Sequence, residues 1–576
     1  MKGSKMKSKN PSLDTVGVDT VRRGAAILEG YRKARYSLEK RILSDEDFWC
    51  SRHRPSGVSK GSDMPYPASG WLFSTVVNKH ADIMESIPSP VCIAREKSDV
   101  EYAEVLNSVL PVILDRLSFN RLYSELQYDK LKHGTAVYGV FWNPDSQNGL
   151  GDIDVKRIDL LNLFWEPGVC SIQDSQNVFY TSLIDNETLY SLYPGARESG
   201  SSVSTCAADY VFDPSIDTSD KSLVVDWYYK KQTPHGVILH YVKFVGETVL
   251  YASENDPSAV SGFYGHGLYP FVLDTLYREN GTPCGYGLIS VTRGTQEYID
   301  RLDRSILEHA VMSAKPRYMM KKNVGMNLGD FLDWSKPVVE VDGDLTEERV
   351  KAITLPTLDQ NVITVRDSKI NEIKEISATH NYNYGYASQS ISSGVAIAAL
   401  QEAGSKVMRD IITSSFDAFS SVIKLIIELI RQFYDEERCF RITKPNRTGY
   451  EYIEFSGKDI KEKSTSLGDE LLYRLPEFDV EVRTLKSSAF TRYAQNETVS
   501  ELFKMGLFSP EKKNEALIVL DALELEGKGR IIEMVRELKS EKPEEQPVPD
   551  AKTPNTDKKL AEGIRSAIKL KTKSKG

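Results

Sequence analysis

Reactive side chains do chemistry only where spacing or folding brings them together, and this sequence offers few such groupings. Acidic pairs stand at Asp300/Asp303 and Glu347/Glu348, in segments where solvated helical or turn carboxylates are the simple reading. The stretch DGDLTEE at 342–348 spaces oxygen ligands suggestively but lacks the rest of a calcium loop. Glycines gather in GHGLYP (265–270) and GTPCGYGLIS (281–290), without the strand–Gly loop–helix context that cradles a phosphate. No GxxxxGK[ST], GxSxG, HExxH or HxE…PCxxC pattern occurs. The six cysteines lie far apart with no CxxC pair, which argues against a zinc site and a disulfide framework and for a reducing compartment. His53, His80 and His133 read as surface or locally hydrogen-bonded residues rather than ligands. The expectation is a protein without catalytic residues, metal or cofactor.

A different kind of signal sits at 380–410, HNYNYGYASQSISSGVAIAALQEAGSKVMRD. Tyr382, Tyr384 and Tyr386 alternate with small polar residues, and a periodic helix begins sharply after Gly394. The first half cannot pack as a core. Aromatic faces beside Asn and Ser donors suit soft, sequence-tolerant contact with a polymer. The other reading, that the tyrosines anchor a loop against neighbouring helices, stays open on the residues alone.

Composition narrows the choice. The 576 residues suffice for roughly three or four average domains. A hydrophobic fraction of 40% and a charged fraction of 27% are ordinary for a globular protein. Formal charge is −9, from 82 acidic against 73 basic residues, so the chain lacks the basic footprint of a general DNA binder. Strong Lys/Arg contacts would make movement along DNA sticky through counterion release; an acidic chain with a polar aromatic loop would let a duplex slide. The N-terminal MKGSKMKSKN has no apolar core and is not read as a signal peptide. The most apolar run, VIKLIIELI at 422–430, contains Lys424 and Glu428 and is far too short to span a membrane.

The elements follow from period and punctuation. Residues 1–20 read as disordered, and VRRGAAILEGYRKARYSLEKRI as one charged helix. WLFSTVVNKHADIMESI is a helix stopped by Pro88 and Pro90. A long helix from about Ser98 is divided or kinked near Pro111 and capped by Gly134. Alternation then replaces the helical period: TAVYGVFWN and GDIDVKRID form a hairpin, with further strands at NLFWEPGV, NVFYTSLID, 222–230, 236–245 and 247–252. Residues 288–314 form an amphipathic helix with Ile299, Leu302, Ile306 and Ala310 on one face. A second covers 358–378, with Val362, Val365, Ile370 and Ile373 on one side. Small strands lie between them, and a third helix covers about 394–436. A hairpin (CFRITKPNRT, EYIEFSGKDI), a strand at 477–484 and helices over 487–540 complete the pattern, with 541–576 read as disordered.

This order of parts resembles tailed-bacteriophage portal proteins, the head-to-tail connector family. The carrying stretches are YGLISVTRGTQEYIDRLDRSILEHAVMSAKP, SISSGVAIAALQEAGSKVMRD and VYGVFWNPDSQNGLGDIDVKRIDLLNLFWEPGV. The resemblance implies an elongated α+β subunit. It has a wing (21–285 with 395–486), two stem helices (286–314 and 357–378) and a small β clip (315–356). A tunnel loop (379–394) and a helical crown (487–540) complete it. It implies a dodecameric ring at the capsid vertex of the virion, assembled in the host cytoplasm. Double-stranded DNA would pass through the channel during packaging and ejection. Partners would be the terminase large subunit, head-completion or tail adaptor proteins, and the major capsid protein or scaffold, with no membrane. On this reading Asn381, Tyr382, Asn383, Tyr384, Tyr386 and Gln389 face DNA, and Lys321, Lys322 and Asn323 of the clip meet the terminase. Leu302 and Ile306 touch neighbouring stems. The competing expectation is a non-viral cytoplasmic oligomeric scaffold or adaptor.

Overall fold

The computed structural model describes residues 16–53, 68–199, 220–234, 236–259, 262–314, 317–320, 350–353, 355–378, 406–443, 450–461, 463–467, 470–486, 500–505 and 513–522, with 327, 329, 333 and 535. The chain divides into two compact units, 1–488 and 489–576.

The first unit opens on α1 (Val18–Ala34) and α2 (Tyr36–Trp49), two helices where the charge pattern predicts one. Residues 18–20, expected to be disordered, form the first turn of α1, behind a buried Val16 whose N–H donates to Asn255 Oδ1 at 2.9 Å. The joint between the helices is Arg35. Its guanidinium is buried, donates to the carbonyls of Leu160, Leu161 and Leu163, pairs with Glu39 and lies 4.0 Å over the Phe164 ring.

Proline placement is instructive in two ways. Helix α3 (Trp71–Met84) stops before Pro88 and Pro90, but those prolines lie inside β1 (Ser86–Ala94), a strand paired antiparallel with residues 478–486. A strand with a partner on one side can spare two N–H groups on the other. Conversely, Pro111 sits within α4 (Val100–Arg116), and the chain breaks later, at Ser118 in the left-handed region (φ 51), before α5 (Phe119–His133). Leu106, Val109, Leu110, Ile113 and Leu114 are all buried, so packing carries the helix through the proline. Gly134 caps α5 as predicted, with φ 85.

The hairpin of β2 (Thr135–Asn143) and β3 (Asp152–Ile158) forms as alternation predicts. Next come β4 (Leu163–Trp165), β5 (Asn177–Asp185), the short helix α6 (Asn186–Leu192), β6 (Lys221–Thr233), β7 (Gly236–Val245) and β8 (Thr248–Ala252). These strands make a five-stranded antiparallel sheet in sequence order. Helix α1 covers one face, burying Val21 and Leu28 with Phe179, Trp227 and Phe244. Gly24 lets it approach, since a Cβ there would stand 2.8 Å from the Trp227 ring. Strand β9 (Phe271–Thr275) joins β2 on the edge away from β3, and the short pair β10 (Tyr277–Arg278) and β11 (Gly285–Tyr286) leads into a long helix.

That helix, α7 (Leu288–Ala314), is followed by the antiparallel pair β12 (Arg317–Met320) and β13 (Val350–Ile353), then α8 (Gln360–Ile376). After residues 379–405, outside the described part, comes α9 (Lys406–Phe433). Its Phe419, Val422, Ile423 and Ile426 lie in the main core with α4, α5 and the β2 sheet, as its wide apolar face predicts. The predicted hairpin β14 (Arg438–Thr443)–β15 (Tyr450–Phe455) follows, then an unforeseen one, β16 (Lys463–Leu467)–β17 (Glu470–Arg474). Strand β18 (Phe478–Lys486) closes the unit against β1. In the second unit α10 (Lys513–Ala522) buries Ala516 and Leu520. The fold is thus a mixture of helices and antiparallel strands, the α+β class expected.

Candidate functional site

Helices α7 and α8 pair with each other, and α7 exposes several apolar side chains beyond the pairing. Ile299 of α7 meets Ile370 and Ile373 of α8 in a small buried cluster capped by Trp71. The Asp303–Arg366 ion pair and a Thr295 Oγ1–Glu372 hydrogen bond (3.2 Å) extend the contact along the pair. Every buried residue of α7 lies at or before Asp300, and those of α8 are Ile370 and Ile373. The pair therefore leaves the core at one end. Residues 301–314 alone extend about 21 Å at the helical rise.

Along this outer stretch Leu302 and Ile306 are half-buried, on the line through Ile299 and Asp303 that faces α8. Val365, expected beside Ile370 and Ile373, is exposed instead, because the buried line of α8 begins only at Ile370. The exposed apolar residues fall on two flanks. Leu307 (47% exposed) and Val311 (40%) lie on one, Tyr298 (57%) and Met312 (57%) on the other. Tyr318, Met319 and Ile353 of the β12–β13 pair, and Leu355 just after it, are exposed as well.

Asp300, read from sequence as a solvated carboxylate, is fully buried. Four donors make that tolerable. His53 Nε2 (2.8 Å) donates to Oδ2, and Ser69 N (3.0 Å), Ser69 Oγ (2.9 Å) and Gln296 Nε2 (2.9 Å) to Oδ1. His, Asp and Ser meet here, but the carboxylate stands in the middle, where a hydrolytic triad needs the imidazole. The cluster instead ties His53 and Ser69 to α7. No periodicity could announce it, since its members come from three separate segments.

A second buried polar node lies against α9. Lys130 Nζ, fully buried on α5, pairs with Asp274 of β9 (2.6 Å) and donates to Ser415 Oγ (2.7 Å) and the Ile411 carbonyl (3.0 Å). A Ser–Lys pair at this distance would suit an activated nucleophile. Here both groups are sealed from solvent and Asp274 holds the lysine charge, so no substrate can reach them. At the end of α8, the Ala378 carbonyl accepts from Lys79 Nζ at 3.1 Å. Burial lowers the Lys79 pKa, partly offset by Asp82.

The expected DNA-facing residues Asn381, Tyr382, Asn383, Tyr384, Tyr386 and Gln389, and the expected terminase contacts Lys321, Lys322 and Asn323, lie outside the described residues. Among the described residues no helix is long and apolar enough to cross a membrane. No group of three His, Cys, Asp or Glu among them could hold a metal.

The sequence matches the phage P22-like portal protein family over residues 80–567, well over half of the chain. It belongs to that family. No curated protein matches the sequence. As a bacteriophage portal chain it is a structural component of the head-to-tail connector that serves DNA packaging. The family implies a homo-oligomeric ring at the capsid vertex, for which the dodecamer is the usual state. The match does not favour the non-viral scaffold reading.

Proposed function

We propose that twelve copies of this portal chain close into a ring whose α7–α8 pairs form the stem around a channel for double-stranded DNA. In it 21–285 and 395–486 form the wing, 315–356 the clip, 379–394 the tunnel loop and 487–540 the crown. The family match carries the reading, and the outer part of α7 supports it. A ring interface is heterologous, so each subunit must present two different surfaces, and α7 has an apolar flank on each side. Leu302 and Ile306 serve the α7–α8 pairing and the edge of that interface together.

In this reading Tyr382, Tyr384 and Tyr386, with Asn381, Asn383 and Gln389, form an uncharged collar. It touches the duplex without gripping it. Lys321, Lys322 and Asn323 of the clip meet the terminase large subunit first and adaptor proteins after packaging, and the wing contacts capsid or scaffold. The net acidic charge supports a channel that does not retain DNA by counterion release. The test is a portal in which all three tyrosines are alanine. Rings should form normally in negative stain, while full-length DNA packaging or retention falls. Wild-type DNA content in such particles would sink the collar role.

A further inference from the structure

A seven-residue spacing on α7 marks a line that stays exposed beside the α7–α8 pairing. Val291, Tyr298, Ser305 and Met312 recur at that interval, and all four are exposed. Such a repeat keeps side chains on one seam, the pattern by which one helix receives another. Helix α8 adds to the seam. Val365, Lys369, Glu372 and Ile376 share one of its faces by their spacing of three and four. Lys369 Nζ lies 6.0 Å from the centre of the Tyr298 ring, and Glu372 accepts from Thr295, so this face is on the same side of the pair as the α7 line. The Thr295–Glu372 and Asp303–Arg366 contacts show the helices antiparallel, which brings Ile376 level with Val291 and Val365 level with Ser305. Val365 and Ile376 are exposed too, so one groove between the helices has apolar side chains on both walls.

The opposite side of α7 carries Leu307 and Val311, one turn apart and both exposed. Leu307 stands about 200° around the helix from Ser305 but only about 3 Å along it. Val311 is about 1.5 Å from Met312 in height. Rotation about an axis along the stem carries one copy onto the next without changing height, so each residue of one side meets the other side at its own level. Leu307 then comes opposite Ser305, the one small side chain of the seven-residue line, and Val311 opposite Met312. A bulky residue set over a small one is how helices interdigitate. The family is one of homo-oligomeric rings, so the occupant that this matching of sides selects is a second copy of the chain.

We propose that the groove walled by Val291, Tyr298 and Met312 of α7 and by Val365 and Ile376 of α8 receives Leu307 and Val311 of the next copy, with Leu307 seated over Ser305. This rests on the reading of α7 and α8 as the stem of a ring. It assigns each subunit one receiving side and one inserting side.

The experiment uses the full-length chain. Subunits carrying Ser305→Cys are mixed with subunits carrying Leu307→Cys, assembled, oxidised mildly and run on a non-reducing denaturing gel. A disulfide requires Cα atoms roughly 4.4–6.8 Å apart, so it reports this pairing and little else. The mixture should give covalent dimers, neither variant alone should, and a chain with both changes should give a ladder of oligomers. Tyr298→Cys mixed with Leu307→Cys, about 14 Å apart in height, should give no dimer. In parallel, Ser305→Leu should lower the yield of closed rings about tenfold by overfilling the contact, and adding Leu307→Ser to it should restore them, as native mass spectrometry reads. Closed rings that lack the Ser305–Leu307 cross-link, or that Ser305→Leu forms at wild-type yield, overturn the proposal while the stem reading stands. Amide hydrogen exchange over 288–314 that is the same in rings as in unassembled subunits overturns both. Should Ser305→Leu fail to fold, the cysteine mixture decides.

Discussion

At the scale of single residues the structure turns on charged groups whose partners lie far away in sequence. Glu46 shows the effect on stability. Its carboxylate accepts from His133 (3.2 Å) and Lys132 (3.0 Å), and these hold its pKa down to about 2 against the opposing effect of burial. A depressed carboxylate stabilises the fold above its unfolded pKa, and that stability is lost as pH falls from about 4.5 toward 2. Glu46→Gln should therefore cost about 1–2 kcal/mol at pH 7, discounted for partial exposure. In urea unfolding across pH the gap from wild type should close as pH approaches 2.5. A gap that persists unchanged at low pH would assign the effect to packing. Such partnerships were illegible in the sequence. Asp300 and Asp303 look alike there, yet one is sealed among four donors and the other pairs with Arg366.

At the scale of elements the sequence was legible wherever one face is buried over several turns. Helix α9 stands over 406–433 where its wide apolar face puts it, and β2 and β3 pair in the hairpin expected, although β2 is buried on both faces over Thr135–Val140. Helix α3 ends before Pro88 and Pro90 as read, but the strand that holds those prolines, and the passage of α4 through Pro111, were settled by tertiary packing rather than local propensity. The β16–β17 hairpin was missed because KSTSL and ELLYR are short and weakly alternating. Gly134, by contrast, is legible and doubly constrained. Its φ of 85 favours glycine, and a Cβ would stand 2.2 Å from the Tyr286 backbone at the entry to α7. Gly134→Ala should cost more than about 2 kcal/mol. The measurement is the urea midpoint, with Gly30→Ala as control, since nothing lies within 4 Å of a Cβ there. Equal midpoints for the two variants would remove the constraint at the α5–α7 joint.

For the whole molecule, the order of helices and strands was legible and the family it resembles was borne out; the inter-subunit surface was not. Ile299, Leu302 and Ile306 read as one apolar face, but the chain uses much of that face on itself, and the exposed apolar residues flank it. Leu307→Asp with Val311→Asp should therefore leave the subunit folded and block ring closure. Native mass spectrometry should show monomers and short open oligomers with unaltered far-ultraviolet circular dichroism. Closed rings at wild-type yield would move the interface elsewhere.

The pairing of β1 with β18 also has a consequence in time. The two strands are made far apart on the ribosome, and at about 5–20 residues per second β1 waits roughly 20–80 s for its partner to be synthesised. Through that interval β1 presents an open edge, and Pro88 and Pro90 deprive any wrong strand of two N–H donors on it. When β18 arrives, Arg95 closes the register by pairing with Glu477 and Asp479. Completion of the first unit is thereby deferred almost to its last residue. Nascent chains ending before 478 should be cut readily by protease at β1, and chains extended past 488 should be protected there.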